Sequence, residues 1–340
     1  MANDFQEIQD GYLQEISVHL KQFVDLLYAD SNSDHYSELR EIFYYHLGLL
    51  DPVIKQGKRL RPLLTLICAE GAGISYDKAM PAAIAIELIH NFSLIHDDIE
   101  DDGAMRRGKA SVWKKWGLAQ GLNAGDAMFN SAFLAIQQLK DDLSMDITIE
   151  AITQLINTCD KLTKGQYLDM RFESEPEVSE SAYFRMIEGK TAALLGCSTE
   201  MGAILAGKNT TQRGFFHDFG WSLGIAFQIY DDWLGIWGDE KVTGKSALSY
   251  LIEKKKSYPI ILGMQANDQF RSELQDGLIT VESAKKLADQ LRANGIEEQV
   301  KEASRKWTNI ANDNLDKMEC EKTQKELLGS ITNKLLMRSK

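Results

Sequence analysis

Ser93-Leu-Ile-His-Asp-Asp-Ile-Glu-Asp-Asp-Gly-Ala-Met-Arg-Arg-Gly108 is a stretch in which an apolar helical run ends in five acidic residues and two arginines. If a helix that begins near Pro81 continues through it, Asp97 and Asp101 lie one turn apart with Asp98 beside them, so three carboxylates share one face. Carboxylates placed in this way repel one another unless they lie in water or hold a cation between them. A hard divalent ion such as Mg²⁺ takes oxygen ligands and often bridges a few carboxylates to phosphates. The stretch therefore predicts either a solvated acidic helix end or a Mg²⁺ site.

Two arginines and a second acidic pair extend this pattern. Arg106 and Arg107 follow the helix end and could meet phosphates through charge-assisted hydrogen bonds. Far along the chain, Asp231 and Asp232 again end an apolar helical stretch, and Gln228 precedes them by one turn. Two such clusters, each at the C-terminal end of a hydrophobic helix, can face one another across a cavity with cations and a diphosphate between them. The second cluster favours the metal site over the solvated helix end.

The composition indicates an all-α protein with a single domain covering residues 1–340. Long stretches rich in Ala, Leu, Ile, Glu, Lys and Gln run between only five prolines, and alternating strand patterns are nearly absent. No Gly/Ser/Pro linker divides the 340 residues, of which 44% are apolar. The net charge of −12 argues against a nucleic-acid-binding protein, which would carry a basic stripe.

The polar first residues, without a recognisable targeting pattern, and the scattered cysteines favour a cytoplasmic protein. The first residues are acidic and polar, and they form neither a signal peptide nor a transit peptide pattern. No uninterrupted apolar run approaches the ~20 residues that span a bilayer, so no transmembrane segment is expected. The four cysteines are scattered without metal-binding spacing and fit a reducing compartment.

A basic segment, GKRLRP at residues 57–62, places Lys58, Arg59 and Arg61 beside the start of an apolar helix. Pro62 suits the first turn of that helix, whose exposed N–H groups favour anions. Taken alone, the segment is equally consistent with a solvated basic loop.

Eight motifs resemble, in the same order, those of the trans-prenyltransferases, the polyprenyl diphosphate synthase family, and most nearly its bacterial geranylgeranyl diphosphate synthases. They are GKRLRP (57–62), ELIHNFSLIHDDIEDD (87–102), RRGK (106–109), GD (125–126), GQYLD (165–169), MIEGKTA (186–192), FQIYDD (227–232) and GK (244–245). The resemblance covers nearly the whole chain. It implies a single-domain bundle of long antiparallel helices around a central apolar cavity, the isoprenoid synthase fold.

The resemblance also implies roles for individual residues. The implied Mg²⁺ ligands are Asp97, Asp98, Asp101, Asp231 and Asp232. Isopentenyl diphosphate, the homoallylic substrate, would be bound by Lys58, Arg61, His90 and Arg107, and the allylic diphosphate by Arg106, Lys190 and Lys245. Further substrate contacts would come from Gln166, Thr191, Gln228 and Lys255, with Asp169 one turn after Gln166. The catalytic group would comprise Asp97, Asp98, Asp101, Lys190, Asp231 and Lys245.

Two residues before the first acidic cluster bear on product length. In the family, the residues four and five positions before the first aspartate help to set the floor of the tunnel that receives the growing chain; here they are Ser93 and Phe92. An aromatic residue at the more distant position resembles the pattern of geranylgeranyl (C20) producers. On an ideal helical wheel Phe92 lies off the acidic stripe, so as a sequence feature alone it is a core residue.

Two positions depart from the family pattern. Gly235 stands where the third acid of the second cluster is expected, and Tyr250 stands where an acid normally supports the lysines. Asp239, two turns beyond Asp231, could contribute instead. These departures remove two acidic side chains that were expected to bind metal or to support the lysines, and they leave the reaction type open.

The resemblance implies a Mg²⁺-dependent prenyltransferase, expected as a homodimer. It would ionise an allylic prenyl diphosphate, condense it with isopentenyl diphosphate and eliminate a proton to give a short-chain (C20) all-trans product. A terpene synthase of the same fold and a non-catalytic partner subunit of a heteromeric synthase are the alternatives. The residues matched to the isopentenyl diphosphate site argue against the first, and the intact first acidic cluster argues against the second.

Overall fold

The computed structural model describes residues 2–29, 34–50, 57–238 and 248–336, and nearly all of them lie in helices. The chain forms two compact units. Unit 1 contains Met1–Asn157, Ser198–Arg213 and Glu319–Leu327, and unit 2 contains Thr158–Cys197, Gly214–Met318 and Leu328–Lys340. The all-α class predicted from composition is confirmed, whereas the single-domain organisation of residues 1–340 stays a prediction.

The helices of the described residues are numbered in chain order. They are α1 Ala2–Leu27, α2 Ser37–Leu47, α3 Leu60–Ala72, α4 Tyr76–Glu100, α5 Val112–Trp116, α6 Leu118–Ile136, α7 Met145–Ser174, α8 Glu180–Ile187, α9 Ala193–Leu205, α10 Thr210–Trp237, α11 Ser249–Ile252, α12 Tyr258–Ala266, α13 Asp268–Gln275, α14 Val281–Ala293, α15 Ile296–Lys317 and α16 Lys322–Leu336. Within the described residues there are also two 3₁₀ turns, Asp34–Tyr36 and Gln137–Asp141, and one π-helical turn, Glu188–Ala192. The two described strands, β1 Met105–Arg106 and β2 Lys109–Ala110, form an antiparallel hairpin.

Helix α4 carries the first acidic cluster and is buried on almost every side in unit 1. It packs chiefly against α6 and α3, and the side chains of residues 82–89 are all buried. A helix that is apolar all round belongs in a core. It begins at Tyr76 rather than near Pro81, because Ala79 and Met80 are also buried and extend the packed face toward the N-terminus.

The C-terminal end of α4 is closed by a turn that delivers the chain to the hairpin. Asp102 adopts a left-handed φ of 51°, and the Gly103 N–H donates to the Asp98 carbonyl at 2.8 Å, which is the Schellman arrangement. Arg107 and Gly108 form the two-residue connection of the hairpin, with φ values of 53° and 79°, as a type I′ turn requires. The hairpin therefore presents two arginines directly after the acidic helix end.

Unit 2 is built around one apolar cluster contributed by α8, α10 and the helices after it. Among its fully buried members are Tyr183, Ile229, Leu251, Ile260 and Leu291. The rings of Tyr183 and Tyr258 stack with centroids 5.2 Å apart at the edge of this cluster. The stack lies beside Asp232, so it joins the apolar core to the second acidic cluster.

One described helix, Tyr76–Glu100, is long and apolar enough to cross a membrane by length and composition alone. Its most apolar window is 67% buried within the protein. Core helices of soluble proteins pass the same test, so its packing in unit 1 accounts for the apolar composition.

Candidate active site

The three aspartates of the first cluster differ sharply in their surroundings. Asp98 is buried and accepts a hydrogen bond from Arg106 Nε at 2.7 Å, whereas Asp97 Oδ2 lies 3.7 Å from Arg106 Nη2. Burial raises the pKa of Asp98, and the hydrogen bond and charge of Arg106 oppose that rise. Asp101 lies just past the last residue of α4 and is exposed. Arg106 thus holds one carboxylate of the cluster and touches a second.

The carboxylates of this cluster suit a hard divalent cation that binds carboxylate oxygens and phosphate oxygens at the same time. Among the described residues, no group of three or more His, Cys, Asp or Glu side chains is already gathered around a possible metal position. Mg²⁺ does not need such a cage, because it commonly binds one or two carboxylates, several waters and phosphate oxygens. Asp97 and Asp101, one helical turn apart, supply that kind of donor set.

Three arginines converge near one buried carboxylate in unit 1. Arg59 is buried at the N-cap of α3, Arg61 and Arg107 are partly buried, and the electrostatic influence of all three reaches Glu87 of α4. Burial lowers the pKa of Arg61 to about 10, so the side chain remains protonated at neutral pH. Burial raises the pKa of Glu87, and the arginines oppose that rise. Asp98 also acts on Arg107, so among the described residues three guanidinium groups are set against two carboxylates and positive charge is in excess.

His90 belongs to the same cationic cluster. Arg61 Nη1 lies 3.2 Å from His90 Nε2, and because an arginine can only donate, the imidazole nitrogen accepts. Burial, followed by the charges of Arg61 and Arg107, lowers the pKa of His90 well below its usual value. The ring is therefore neutral and carries its proton on Nδ1.

Several buried polar atoms of this cluster have no hydrogen-bond partner within the described part of the chain. They are Nη1 of Arg59, Nε of Arg61, Nε2 of His46 and Oε2 of Glu87. Buried donors are normally paired, and a cluster of unpaired cationic donors is suited to an anion. Lys58, at the start of the same segment, is exposed. The geometry of the GKRLRP segment thus favours an anion site over a solvated basic loop.

In unit 2, Lys190 and Thr191 lie on the π-helical turn that follows α8. Lys190 Nζ donates to Asp169 Oδ2 of α7 at 2.5 Å. A β-carbon on Gly165 would stand 2.1 Å from the Lys190 backbone nitrogen, so α7 and the turn touch backbone to backbone. Turns of this type are frequent at functional sites because they re-aim side chains. Here the turn brings a cation and a hydroxyl together.

The second acidic cluster is joined to this turn by a chain of hydrogen bonds. Thr191 Oγ1 donates to Gln228 Oε1 at 2.8 Å, and Gln228 Nε2 donates to Asp232 Oδ1 at 3.0 Å. Asp232 Oδ2 also accepts from the Tyr183 hydroxyl and the Tyr258 backbone N–H, each at 2.8 Å. Burial raises the pKa of Asp232 to about 6. Asp232 is therefore enclosed by donors from three elements.

Asp231 has a different partner from Asp232: the Tyr250 hydroxyl donates a hydrogen bond to Asp231 Oδ2 at 3.1 Å. Burial, then the charge of Asp231, raises the pKa of Tyr250 well above its usual value. Lys255 Nζ lies 5.2 Å from the centre of the Tyr250 ring, within cation–π range. These three side chains form a second polar group beside the Asp232 network.

The remaining predicted site residues lie in the following places. Gln166 is partly buried on α7 next to Gly165. Phe92 is partly buried and packs edge-on against Phe129 with centroids 4.9 Å apart, and the Ser93 hydroxyl donates to the His90 carbonyl at 2.8 Å. Lys245 and Asp239 lie outside the described residues.

Sequence reasoning missed several residues that touch the candidate site. Neither Glu87 nor His46 was assigned a role from the sequence, although Glu87 is the first residue of the motif ELIHNFSLIHDDIEDD. Tyr183 and Tyr258 were missed because only the fold brings them to Asp232. A lysine among apolar residues signalled the need for a partner, but the sequence did not identify Asp169 as that partner.

Comparisons with known proteins bear on the family of this chain. A family model described as polyprenyl synthetase matches residues 44–293. The (2E,6E)-farnesyl diphosphate synthase of Mycobacterium tuberculosis (strain CDC 1551 / Oshkosh) is 40% identical over 227 residues, which are 65% of this chain and 62% of that relative. The geranylgeranyl pyrophosphate synthase of Geoglobus acetivorans is 35% identical over 260 residues, 76% of this chain and 80% of that relative.

Among solved structures, a crystal structure of geranylgeranyl pyrophosphate synthase matches with a TM-score of 0.85 at 31% identity, covering 98% of this chain and 99% of that chain. The farnesyl diphosphate synthase match, by contrast, spans 62% of that relative, which is less than two thirds of its length. Since the family model matches well over half of the sequence, the chain belongs to the polyprenyl synthetase family.

Proposed function

We propose that this chain is a trans-prenyltransferase that condenses isopentenyl diphosphate with an allylic prenyl diphosphate. The observation that carries the proposal is the cationic cluster of unit 1, where Arg59, Arg61 and Arg107 all act on the carboxylate of Glu87. A chain that only ionised an allylic diphosphate would not need a second anion site of this kind. The arginines lie on the segments matched to the homoallylic substrate, and their shared carboxylate, Glu87, lies on the same helix as the first acidic cluster.

In this proposal the residues of unit 1 bind and orient the attacking substrate. Arg61 and Arg107 would hold the diphosphate of isopentenyl diphosphate through charge-assisted hydrogen bonds, with Lys58 at the exposed rim. Neutral His90 keeps Arg61 in place by accepting from Nη1 at 3.2 Å. A fixed diphosphate orients the double bond of this substrate for attack.

The residues of unit 2 would bind the allylic diphosphate and stabilise its departure. Lys190 supplies a cation from the π-helical turn, and Thr191 ties that turn to Asp232 by donating its hydroxyl to Gln228, which in turn donates to Asp232. Fixed donors that face a leaving diphosphate lower the barrier as charge develops on it. Lys255 would add positive charge on this side, and Lys245, outside the described residues, keeps the role that the family pattern implies.

We propose Mg²⁺ as the cofactor, with Asp97 and Asp101 as candidate ligands in unit 1 and Asp231 as a candidate ligand in unit 2. When bound, the ion supplies Lewis-acid chemistry by neutralising the diphosphate oxygens. Asp98 and Asp232, which the sequence grouped with these ligands, are both buried and hydrogen-bonded within the protein, whereas Asp97 and Asp231 are only partly buried and Asp101 is exposed. The contribution of Asp98 and Asp232 to metal binding would thus be indirect, through the position of the cluster.

We propose a geranylgeranyl (C20) product. Support comes from an aromatic row on α4 and α6, in which Phe92 contacts Phe129 and Phe129 contacts Phe133 with centroids 4.9 and 5.1 Å apart. Such a row could block a growing prenyl chain at a fixed depth. If it does, Phe92→Ala will lengthen the main product by at least one five-carbon unit, whereas an unchanged product would remove Phe92 from the chain-length account.

The reaction itself is tested by product analysis of the purified protein with Mg²⁺. Dimethylallyl, geranyl and farnesyl diphosphates are each supplied with and without isopentenyl diphosphate, and products are identified by mass spectrometry. The proposal predicts elongated diphosphates only when isopentenyl diphosphate is present. Hydrocarbon or alcohol formed from the allylic diphosphate alone would favour a terpene synthase, the reading that Gly235 and Tyr250 keep open.

We also propose that the protein is a homodimer in the cytoplasm. Three large leucines on α6 remain exposed: Leu118 by 55%, Leu122 by 44% and Leu134 by 52%. Leu118 and Leu122 lie one turn apart on the same face of α6, away from Leu134, and this exposed apolar pair suits contact with a second copy. Light scattering that gives twice the chain mass of 38.3 kDa supports the proposal, and a mass of one chain contradicts it.

A further inference from the structure

Gly235 and Tyr250, the two departures from the family pattern, touch each other. Gly235 lies on α10 one turn after Asp231, and Tyr250 lies on the short helix α11. A β-carbon built on Gly235 would stand 2.4 Å from Cδ2 and 2.7 Å from Cγ of the Tyr250 ring. Separations under 3.0 Å essentially never occur for a β-carbon. The ring can keep its position only if residue 235 has no side chain.

The placement of the ring brings Tyr250 against both Asp231 and Lys255. Its hydroxyl donates to Asp231 Oδ2 at 3.1 Å. Its π face lies 5.2 Å from Lys255 Nζ, and the Lys255 backbone N–H donates to the Tyr250 carbonyl at 2.9 Å. The side chain is 5% exposed, so the contacts are largely shielded from water and correspondingly strong. One residue thus contacts both an acid of the second cluster and a basic residue of the next motif.

The two substitutions are therefore complementary rather than two separate losses. The position one turn after Asp231 lacks an acid, and the space this leaves is filled by a ring whose hydroxyl reaches Asp231. The position that would carry an acid near the lysines carries an aromatic ring, which can attract Lys255 through its quadrupole.

We propose that Tyr250 is a positioning residue of the second acidic cluster, which orients Asp231 with its hydroxyl and Lys255 with its ring, and that Gly235 is required because it makes room for that ring. This proposal rests on the proposed function, because it assigns Asp231 to a divalent cation and Lys255 to a diphosphate. It predicts that an acid at residue 235 alone weakens the site instead of restoring it.

The first test is metal binding by the full chain, measured without turnover. Mn²⁺ serves as a paramagnetic probe in the presence of inorganic diphosphate, and its binding is followed by electron paramagnetic resonance. Tyr250→Phe keeps the ring and removes the hydroxyl. The loss of one hydrogen bond to a charged group is expected to weaken Mn²⁺ binding about tenfold. Binding by Tyr250→Phe equal to that of the wild type would overturn the proposal.

Tyr230→Phe is the matched control. Tyr230 lies on α10 next to Asp231, and its buried hydroxyl has no hydrogen-bond partner among the described residues. Removing that hydroxyl should leave Mn²⁺ binding unchanged. An equal loss in both variants would mean that any hydroxyl lost from this region perturbs the site, and it would also overturn a specific role for Tyr250.

The second test is a double-mutant cycle at the two positions. Gly235→Ala should weaken Mn²⁺ binding in the wild-type background, because the methyl group displaces the ring. In a Tyr250→Ser background the same change should have little further effect, because no ring is present. Additive effects would contradict the proposed coupling. If Gly235→Ala fails to fold, the comparison of Mn²⁺ binding by Tyr250→Phe and the wild type decides whether Tyr250 positions Asp231.

The outcome can be separated from that of the proposed function. Binding of Mn²⁺ and inorganic diphosphate is measured without prenyl substrates, so it responds to Tyr250 whether the chain is a synthase or a cyclase. Absence of elongated products from the wild type would overturn the proposed reaction only. Unchanged binding in Tyr250→Phe would overturn the positioning role only.

Discussion

At the scale of single residues, Arg106 distinguishes the aspartates of the first cluster from one another. Its Nε atom is 2.7 Å from the buried Asp98, while Asp101 is exposed beyond the helix end. From sequence spacing alone these carboxylates could not be distinguished, because helical geometry places all of them on one face. The type I′ turn of the hairpin removes that equivalence by directing one arginine back onto α4.

Replacing Asp98 should therefore affect stability as well as activity. Asp98→Ala leaves Arg106 without its nearest carboxylate and is expected to lower the free energy of unfolding by about 2 kcal/mol. Asp101→Ala should change stability by less than about 0.5 kcal/mol because the side chain is exposed, yet lower kcat about 100-fold or more if it binds the cation. Urea unfolding and steady-state kinetics measure the two effects. Equal stability losses in both variants would contradict this distinction.

The neutral His90 makes folding stability depend on pH. Its folded-state pKa lies well below the unfolded value of about 6.5, so below pH 6.5 the unfolded chain binds a proton that the folded chain does not. Stability from this group is present at pH 7 and is lost as the pH falls. Between pH 7.0 and 5.5 the wild type should lose about 1 kcal/mol more than His90→Gln.

Comparing these two proteins isolates His90 from other groups. Glu87 and Asp232 have raised pKa values and contribute the opposite slope over the acidic range, but they are present in both proteins. Urea unfolding at the two pH values gives the difference. If the variant lost as much stability as the wild type, the histidine would be protonated in the folded state.

At the scale of elements, the π-helical turn Glu188–Ala192 organises the candidate allylic side of the site. It places Lys190 against Asp169 and Thr191 against Gln228. Gly165 and Gly189 permit the close approach of α7, since a β-carbon on either would lie within 3 Å of backbone atoms of the other segment. The glycines of GQYLD and MIEGKTA thus have a packing role that the motifs themselves do not reveal.

Gly165→Ala tests this arrangement. The added methyl group would stand 2.1 Å from the Lys190 nitrogen, so the turn must move. Overpacking of this kind is expected to cost about 1–3 kcal/mol of stability, and the displaced Lys190 should raise KM for the allylic diphosphate. The KM for isopentenyl diphosphate, whose candidate residues lie in unit 1, should change less.

Gly214→Ala is the control for this glycine. Gly214 also lies in a helix, and no atom lies within 4 Å of a β-carbon built on it. Alanine there should stabilise the protein by about 0.5–1 kcal/mol through helix propensity. Thermal unfolding measures both variants. A lower Tm for Gly165→Ala together with a higher Tm for Gly214→Ala supports the packing role of Gly165, and an unchanged Tm for Gly165→Ala contradicts it.

At the scale of the whole molecule, the sequence predicted best what depends on local periodicity. The all-α class and the acidic C-terminal end of α4 followed from composition and helical spacing. The hairpin was missed because its turn, Arg107-Gly108, lacks the usual Asn-Gly signal. The contact of Tyr250 with Gly235 could not be foreseen, since fifteen residues separate them and only tertiary packing brings them together.

We propose that ionisation of the allylic diphosphate serves condensation with isopentenyl diphosphate. Release of inorganic diphosphate from geranyl or farnesyl diphosphate, followed continuously with Mg²⁺ and with or without isopentenyl diphosphate, tests this coupling. We expect release to depend on isopentenyl diphosphate and to match the number of five-carbon units added, and we expect Arg61→Gln to raise KM for isopentenyl diphosphate. Release at the same rate without isopentenyl diphosphate would contradict it.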